Sequence, residues 1–477
     1  MKSFFIFLFL SVALLGAGIL SCGSGSGGSG PSPTPPDPGP NPTCTSSQRT
    51  FTITNSTNEQ IWLGVTGGSL PCFQDSDCPS GATGACAGAD ASTQKAGHCT
   101  CQTNSNCGVQ ATCNTNNNIC YMSLPNLATS QVNISAGSHT TICMPAPVSG
   151  QPFQWSGNMF ARTGCDSNGQ NCKTGDCNAG SNGLCPAGTG GNPPTALAEF
   201  TLSSQNVKNA GPDYYDVSII NGINVGVSMT PVSGTYNAEA TDPYSCGSPG
   251  STTAANGLSA CNWTFDASNI PTISPANQNS LLRDVTPVTA SSCVSGSPNS
   301  LGYCTCTQDS DCSGGTVCGL GTNAVPNVQY AKVCGNQIGW WTADQICKSS
   351  NNTSPDIAAF NCAASTDLLA CIAGNAMSCY NDQATAGGSC CGCATSGSSP
   401  YQSDWPSPAP GFGGSDNGCY GYNNNWFTLA QPWLVFMKKA CPTAYTYPFD
   451  DATSTFTCNG TGSNTGPNYN ITFLPIH

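Results

Sequence analysis

The sequence predicts a mainly β protein, an antiparallel sandwich with disulfide-rich loop regions and few short helices. Three observations predict it. Short runs alternate apolar and polar residues between clusters of Gly, Pro and Asn, the pattern of strands with one buried face. Cysteine is abundant, at 33 of 477 residues. Gly (55) and Pro (35) favour turns over long helices.

Composition excludes several functions. Only 7% of residues are charged, against about 25% in an ordinary soluble domain. Lys and Arg number 11, Asp and Glu 24, for a net charge of −13. So few scattered cations make no basic stripe, which excludes nucleic acid as a partner. With three His, a histidine-rich metal site is disfavoured, and neither metal nor cofactor is expected. This many thiols persist only as disulfides in an oxidising compartment, which argues against a reduced cytosolic enzyme.

Residues 1–21 read as a signal peptide, with Lys2 its only charge and an apolar run over residues 4–15 that is short for a membrane span. The run ends at Ile19-Leu20-Ser21-Cys22, which resembles a bacterial lipobox with Cys22 as the lipidated residue. The alternative is a eukaryotic signal peptide cut nearby. Removing Cys22 leaves an even number of Cys that can pair completely. Residues 22–43 form the lipidated end and a Gly/Ser/Pro spacer unable to bury a core. The expectation is an exported monomer, held at the cell surface or in the periplasm and touching the membrane only through that lipid.

The folded part is expected over residues 44–477. Phe51 and Ile53 open it as a strand, followed by Ile61, Leu63 and Val65. Tyr215, Val217 and Ile219 alternate, as do Val225, Val227 and Met229, and Ile471 with Phe473 near the end. Helical signals lie at 367–377 and 426–439. The second ends on Lys438 and Lys439, favourable for the helix dipole, though Pro432 interrupts it. An internal repeat, C-x-C-x5-C-x5-C, occurs at 99–113 and 304–318, with a shorter relative at 72–86. Two cysteine-rich insertions are therefore expected, at about 71–122 and 286–335. They read as stapled loops, or as a surface through which the protein meets partners.

Two stretches are specific: ARTGC…TGDC…LAEFTL over 161–202, and CPTAYTYPFDDATSTFTCNG over 441–460, followed by YNITF. With DYYDVSIINGINVGVSMTP (213–231) and FTITNSTNEQIWLGV (51–65), they closely resemble the thaumatin-like family, the pathogenesis-related plant proteins and their relatives. The resemblance implies a flattened β-sandwich. It also implies bridges Cys165–Cys172 and Cys177–Cys185, with Cys441 and Cys458 each tied into the 246–334 region. Thr57 and Leu474 stand where the family has a bonded Cys pair, so the terminal strands are expected to rest on sheet hydrogen bonds and packing alone.

The resemblance further implies an acidic cleft built from Arg162, Glu199, Asp216, Asn221 (where the family often has Asp) and Asp450 or Asp451. Carboxylates and an Arg fork can hold the hydroxyls of a neutral polysaccharide such as β-1,3-glucan. Glycoside hydrolysis needs one protonated carboxyl and one ionised one. Glu199 as acid and Asp216 as nucleophile or base would serve a weak endo-β-1,3-glucanase. Asn221, which removes a charge, favours binding.

Other constellations carry less. His98, His139 and His477 lie near no nucleophile motif. Cys390-Cys391-Gly392-Cys393 reads as disulfide cysteines before half a zinc site. Asp75-Ser76-Asp77 and Asp309-Ser310-Asp311 lack the spacing of a calcium loop.

Overall fold

A computed structural model describes residues 43–45, 48–79, 86–89, 97–109, 111–124, 127–144, 153–203, 211–265, 283–289, 294, 298, 302–322, 330–342, 345, 431–447, 450–461 and 466–476. In chain order the strands are β1 (Thr50–Asn55), β2 (Ile61–Gly67), β3 (Pro71–Cys72), β4 (Cys86–Ala87), β5 (Gly97–Cys99), β6 (Ala111–Asn114) and β7 (Ile119–Met122). They continue with β8 (Asn133–Ile134), β9 (His139–Cys143), β10 (Phe153–Thr163), β11 (Leu197–Ser203), β12 (Asp213–Ser218), β13 (Gly226–Pro231) and β14 (Tyr236–Asn237). The last are β15 (Arg283–Pro287), β16 (Val317–Gly321), β17 (Lys332–Trp340), β18 (Phe456–Gly460) and β19 (Tyr469–Leu474).

Two sheets carry the protein. One has the order β13-β19-β1-β9, the other β14-β18-β12-β11-β10-β2-β8. Their inner faces share one core, centred on the rings of Phe51, Phe200, Tyr215 and Tyr469. Phe200 lies 4.9 Å from Phe51 and 5.1 Å from Tyr469, centroid to centroid. The alternating residues read from the sequence (Phe51, Ile53, Tyr215, Val217, Ile471, Phe473) are all buried there. Within these two sheets one strand pair departs from antiparallel pairing: β1 runs parallel to β19, with Phe51 opposite Tyr469 and Asn55 opposite Phe473. Side-chain alternation reports which face is buried and carries no direction.

The chain ends are held by more than the ladder. Ser56 N–H donates to Phe473 O at 2.8 Å, and the Thr57 hydroxyl turns inward to Asn55 Oδ1 at 2.7 Å. Cys44 is also bridged to Cys143 of β9, which corrects the expectation that hydrogen bonds and packing act alone. A disulfide is worth about 2–4 kcal/mol, so this bridge can offset the family bridge that is missing. Behind β1, buried Arg49 pairs with Asp213 at 2.5 Å and donates to Ser203 O at 2.7 Å. Tyr469 donates its hydroxyl to the same carboxylate at 2.9 Å. One buried ion pair thereby links the segment before β1 to β12 and β19.

Among the described residues the cysteine-rich regions contain three copies of one unit, in a different frame from the sequence repeat. The pairings are Cys72–Cys86 with Cys78–Cys99, Cys101–Cys113 with Cys107–Cys120, and Cys306–Cys318 with Cys312–Cys334. Each unit crosses its first cysteine to its third and its second to its fourth. Cys99 closes the first unit and does not open the second, so 72–86 begins a full copy. The Asp-Ser-Asp turns are scaffolding. Asp75 Oδ1 accepts from Cys86 N–H at 2.7 Å, and Asp309 Oδ1 from Cys318 N–H at 3.0 Å. Asp77 and Asp311 each accept two N–H groups of their own turn.

The helix expected at 426–439 runs over Gln431–Ala440. Pro432 lies in its first turn and does not interrupt it, because N–H groups there have no intrahelical acceptor. The helix expected at 367–377, Cys390-Cys391-Gly392-Cys393, His477, Cys22 and the leader all lie outside the described residues.

Candidate functional site

Strand parity decides which way the acidic residues face. On β11, Ala198, Phe200 and Leu202 enter the core, so Glu199 and Thr201 point to the outer face. On β12, Tyr215 and Val217 point inward, leaving Tyr214 and Asp216 outside. Register then joins them: Glu199 is directly opposite Asp216. On its other side Glu199 faces Asn158 of β10, and Asn158 faces Thr66 of β2. Thr66, Asn158, Glu199 and Asp216 thus form one polar row across four strands. At about 4.8 Å per strand the row is about 14 Å long.

A second row lies beside it: Ser156, Thr201, Tyr214 and Thr457. The Ser156 and Thr201 hydroxyls are 3.3 Å apart. Tyr214 is 39% exposed. Beyond the first row on the opposite side, the surface is closed. Phe160 and Leu197 are buried under Cys177 and Ala179 of the loop over 164–194. The outer face is therefore a hydroxyl, amide and carboxylate platform with one open ring, walled on one side.

Glu199 is half-buried, and its carboxyl is pushed up to about 7 by loss of water, against the opposing effect of the Ser218 hydroxyl hydrogen bond. A carboxylate directly across the ladder is a poor neighbour for a second negative charge. Near neutrality the Glu199 carboxyl can therefore donate a hydrogen bond from its protonated form. Raising a folded-state pKa stabilises the fold below the unfolded value, near 4.5, and that gain is lost as pH rises to about 7. Glu199→Gln cannot ionise. It should match the wild type at about pH 4 and exceed it by about 2–3 kcal/mol at about pH 8, measured by denaturant unfolding with disulfides intact.

The other expected site residues lie elsewhere. Arg162 is a correction: it is fully buried and offers no fork to a ligand. Its Nη1 donates to Gly169 O at 2.7 Å, and its Nη2 to Gly183 O at 2.5 Å and Leu63 O at 3.4 Å. Burial lowers its pKa to about 10, with Asp176 opposing. The residue projects from the outer face of β10, but the ARTGC…TGDC loop folds over it.

Asp450 is a second correction. It is buried, paired with Lys438 at 2.8 Å, and accepts from Thr446 N–H, the Thr446 hydroxyl and the Thr453 hydroxyl. Asp451 opens the short helix Asp451–Ser454, and its side chain lies outside the described residues. Asn221 sits in the turn after β12, off the row, and its Oδ1 accepts from Gln345 Nε2 at 2.9 Å. Of the five expected positions, the structure brings Glu199 and Asp216 together.

Sequence reasoning missed Asn158, Thr66 and Tyr214. Stepping back by two from Arg162 along β10 reaches Phe160, Asn158 and Ser156, all on the outer face, so a parity count was available. Asn158 Oδ1 is buried with no hydrogen-bond partner among the described residues. The clustered sulfurs near Cys72, Cys101 and Cys306 are held in disulfides, which removes the thiolate a metal needs. His98 lies in β5, the middle strand of the sheet β3-β5-β4, and His139 in β9, an edge strand of the four-stranded sheet, so neither is on the strands that carry the row.

The implied bridges are formed: Cys165–Cys172, Cys177–Cys185, Cys246–Cys458 and Cys261–Cys441. Known proteins are similar to parts of this chain. Residues 122–340 match the thaumatin family. Thaumatin-like protein 1 of Pyrus pyrifolia is 31% identical over 155 residues, 32% of this chain and 49% of that protein. Pathogenesis-related protein 5 of Arabidopsis thaliana is 45% identical over 86 residues, 17% of this chain and 32% of that one. A glucan endo-1,3-beta-glucosidase of Prunus avium is 39% identical over 87 residues, 18% of this chain and 33% of that one. The chain spans about half or less of the length of these relatives. The matched segments, the β-rich architecture and the bridges agree, and residues 122–340 carry a thaumatin-family domain.

Proposed function

We propose that this is an exported thaumatin-like protein that binds a neutral polysaccharide, of the β-1,3-glucan class, on the outer face of its seven-stranded sheet. The observation that carries the reading is the row Thr66–Asn158–Glu199–Asp216, with Tyr214 open beside it. A sugar polymer presents hydroxyls in sequence along an apolar ring face. A line of carboxyl, amide and hydroxyl groups answers the hydroxyls, and an exposed tyrosine ring can cover the sugar face. The name of the Prunus avium relative supports β-1,3-glucan as the polymer. The leader, lipidation at Cys22 and the spacer would hold the domain, as a monomer, off a membrane surface.

A second reading has a specific observation behind it. Glu199, pushed up to about 7 directly opposite Asp216, has the protonation a general acid needs near neutrality. Glu199 as acid and Asp216 as nucleophile or base would make the protein a weak endo-β-1,3-glucanase.

One assay separates the readings. Purified protein is incubated with insoluble β-1,3-glucan, with cellulose and chitin as controls. Depletion from solution and reducing sugar are read in the same tubes. Depletion on the glucan without sugar release is the expected result. Sugar release that disappears in Glu199→Gln, with binding retained, would establish the enzyme.

A further inference from the structure

We infer that the second cysteine-rich unit is an extension of the binding platform, a charge-free face that takes further residues of the same neutral polysaccharide. The inference rests on the polysaccharide reading of the row, and adds to it a region that reading does not use.

Continuity is the first observation. The row ends at Thr66, whose hydroxyl donates to Thr189 O at 2.6 Å. The next residue back, Gly188, lies against the ring of Tyr121 on β7. A Cβ at Gly188 would fall 2.5 Å from that ring. Asn114 of β6 donates Nδ2 to Ala187 O at 2.8 Å. The 186–190 loop thus touches both the platform and the β6–β7 hairpin.

Chemistry is the second. Residues 99–122 contain no Asp, Glu, Lys or Arg. The hairpin tip reads Asn114-Thr115-Asn116-Asn117-Asn118, and residues 115–118 are exposed. Asn117 Nδ2 donates to the Tyr121 hydroxyl at 2.9 Å, so amide and ring form one surface. Amides offer donors and acceptors together, as sugar hydroxyls require. A surface of Tyr and Asn is adaptable at low entropic cost.

The neutral composition is not required by the fold. In this unit Asn104 Oδ1 accepts from Cys113 N–H at 3.0 Å. Asp309 makes the equivalent bond at 3.0 Å in the third unit. Asn106 likewise accepts from two N–H groups, as Asp77 does in the first unit. An acid serves this scaffold as well as an amide. The copy that adjoins the platform is the one without charge.

The test uses the wild-type chain and Asn116→Ala/Asn117→Ala, with a soluble linear β-1,3-glucan and its tetrasaccharide as probes. A tetrasaccharide can be held by the row alone, whereas a long chain reaches the hairpin. Calorimetric titration should show the double variant about tenfold weaker on the polymer and unchanged on the tetrasaccharide. Asn116→Ala alone, at an exposed position, should show a smaller loss in the same direction. Equal affinity of variant and wild type for both probes overturns the inference and leaves the platform reading standing. Equal loss on both probes also overturns it, since the hairpin would then only shape the row. Wild-type protein that binds neither probe overturns the platform reading, and the extension with it.

Discussion

Asp450→Ala should destabilise the protein by about 3–5 kcal/mol, the usual cost of leaving one charge of a buried pair alone. Lys438 is buried with its Nζ 2.8 Å from Asp450 Oδ2. The same Nζ donates to Pro442 O, Ala444 O, Thr453 Oγ1 and Ser454 Oγ between 2.8 and 3.1 Å. Burial already lowers the Lys438 pKa, and Asp450 is what opposes that effect. Removing Asp450 also takes the acceptor from Thr446 and Thr453. The damage would spread toward the platform. Tyr445 N–H donates to Val217 O at 2.8 Å, and Ile219 N–H to Tyr445 O at 2.9 Å, so this segment supports the end of β12.

The charge, more than the volume, should account for the loss. Lys438→Met/Asp450→Leu should recover most of it, since an apolar pair of similar size carries no desolvation cost. Denaturant unfolding with intact disulfides measures both. The fraction of Asp450→Ala that stays folded should bind glucan as the wild type does. A selective loss of binding at full stability would return Asp450 to the site.

Arg162→Lys should cost nearly as much as Arg162→Ala, about 3 kcal/mol or more, because a planar fork serves three carbonyls and an ammonium cannot reach all of them. The loop over 164–185 hangs on this fork and on Trp62. Gly169 and Gly183, which accept the fork, have φ of +71° and +74°, and a Cβ on either would strike the Trp62 ring at 2.4 and 2.3 Å. Only glycine satisfies both the backbone conformation and the close approach. Loss of Arg162 should therefore release the loop as a unit. Hydrogen exchange should quicken over 164–185 in Arg162→Lys and stay slow in β1 and β19. An unchanged loop would show that the disulfides Cys165–Cys172 and Cys177–Cys185 hold it without the fork.

Much of this architecture was legible in the sequence because one-faced strands write their burial as alternation. Phe51, Ile53, Tyr215, Val217, Ile471 and Phe473 announced the core directly. The alternation of Tyr215 and Val217 left Asp216 on the outer side of its strand, while Glu199 was named by the family resemblance alone. Direction and register were not legible, since alternation is unchanged when a strand is reversed or slipped by two residues. That is why the parallel β1–β19 pair was missed, and why Glu199 and Asp216 could be named but not placed opposite each other. Arg162 misled for a different reason. Its parity is that of a surface residue, and the loop that follows β10, which carries no strand alternation, folds over it. The cysteine units show a similar limit: spacing revealed the repetition, but the frame depends on which sulfurs meet, and Cys99 belongs to the unit before it.

The proposed ligand face is the Thr66–Asn158–Glu199–Asp216 row. The most direct measurement is depletion of Glu199→Ala/Asp216→Ala from solution by insoluble β-1,3-glucan, beside wild type, with unfolding curves for both. The wild type should be depleted and the variant should stay in solution, at least tenfold weaker, with its fold intact. A folded variant depleted as fully as the wild type would contradict that assignment.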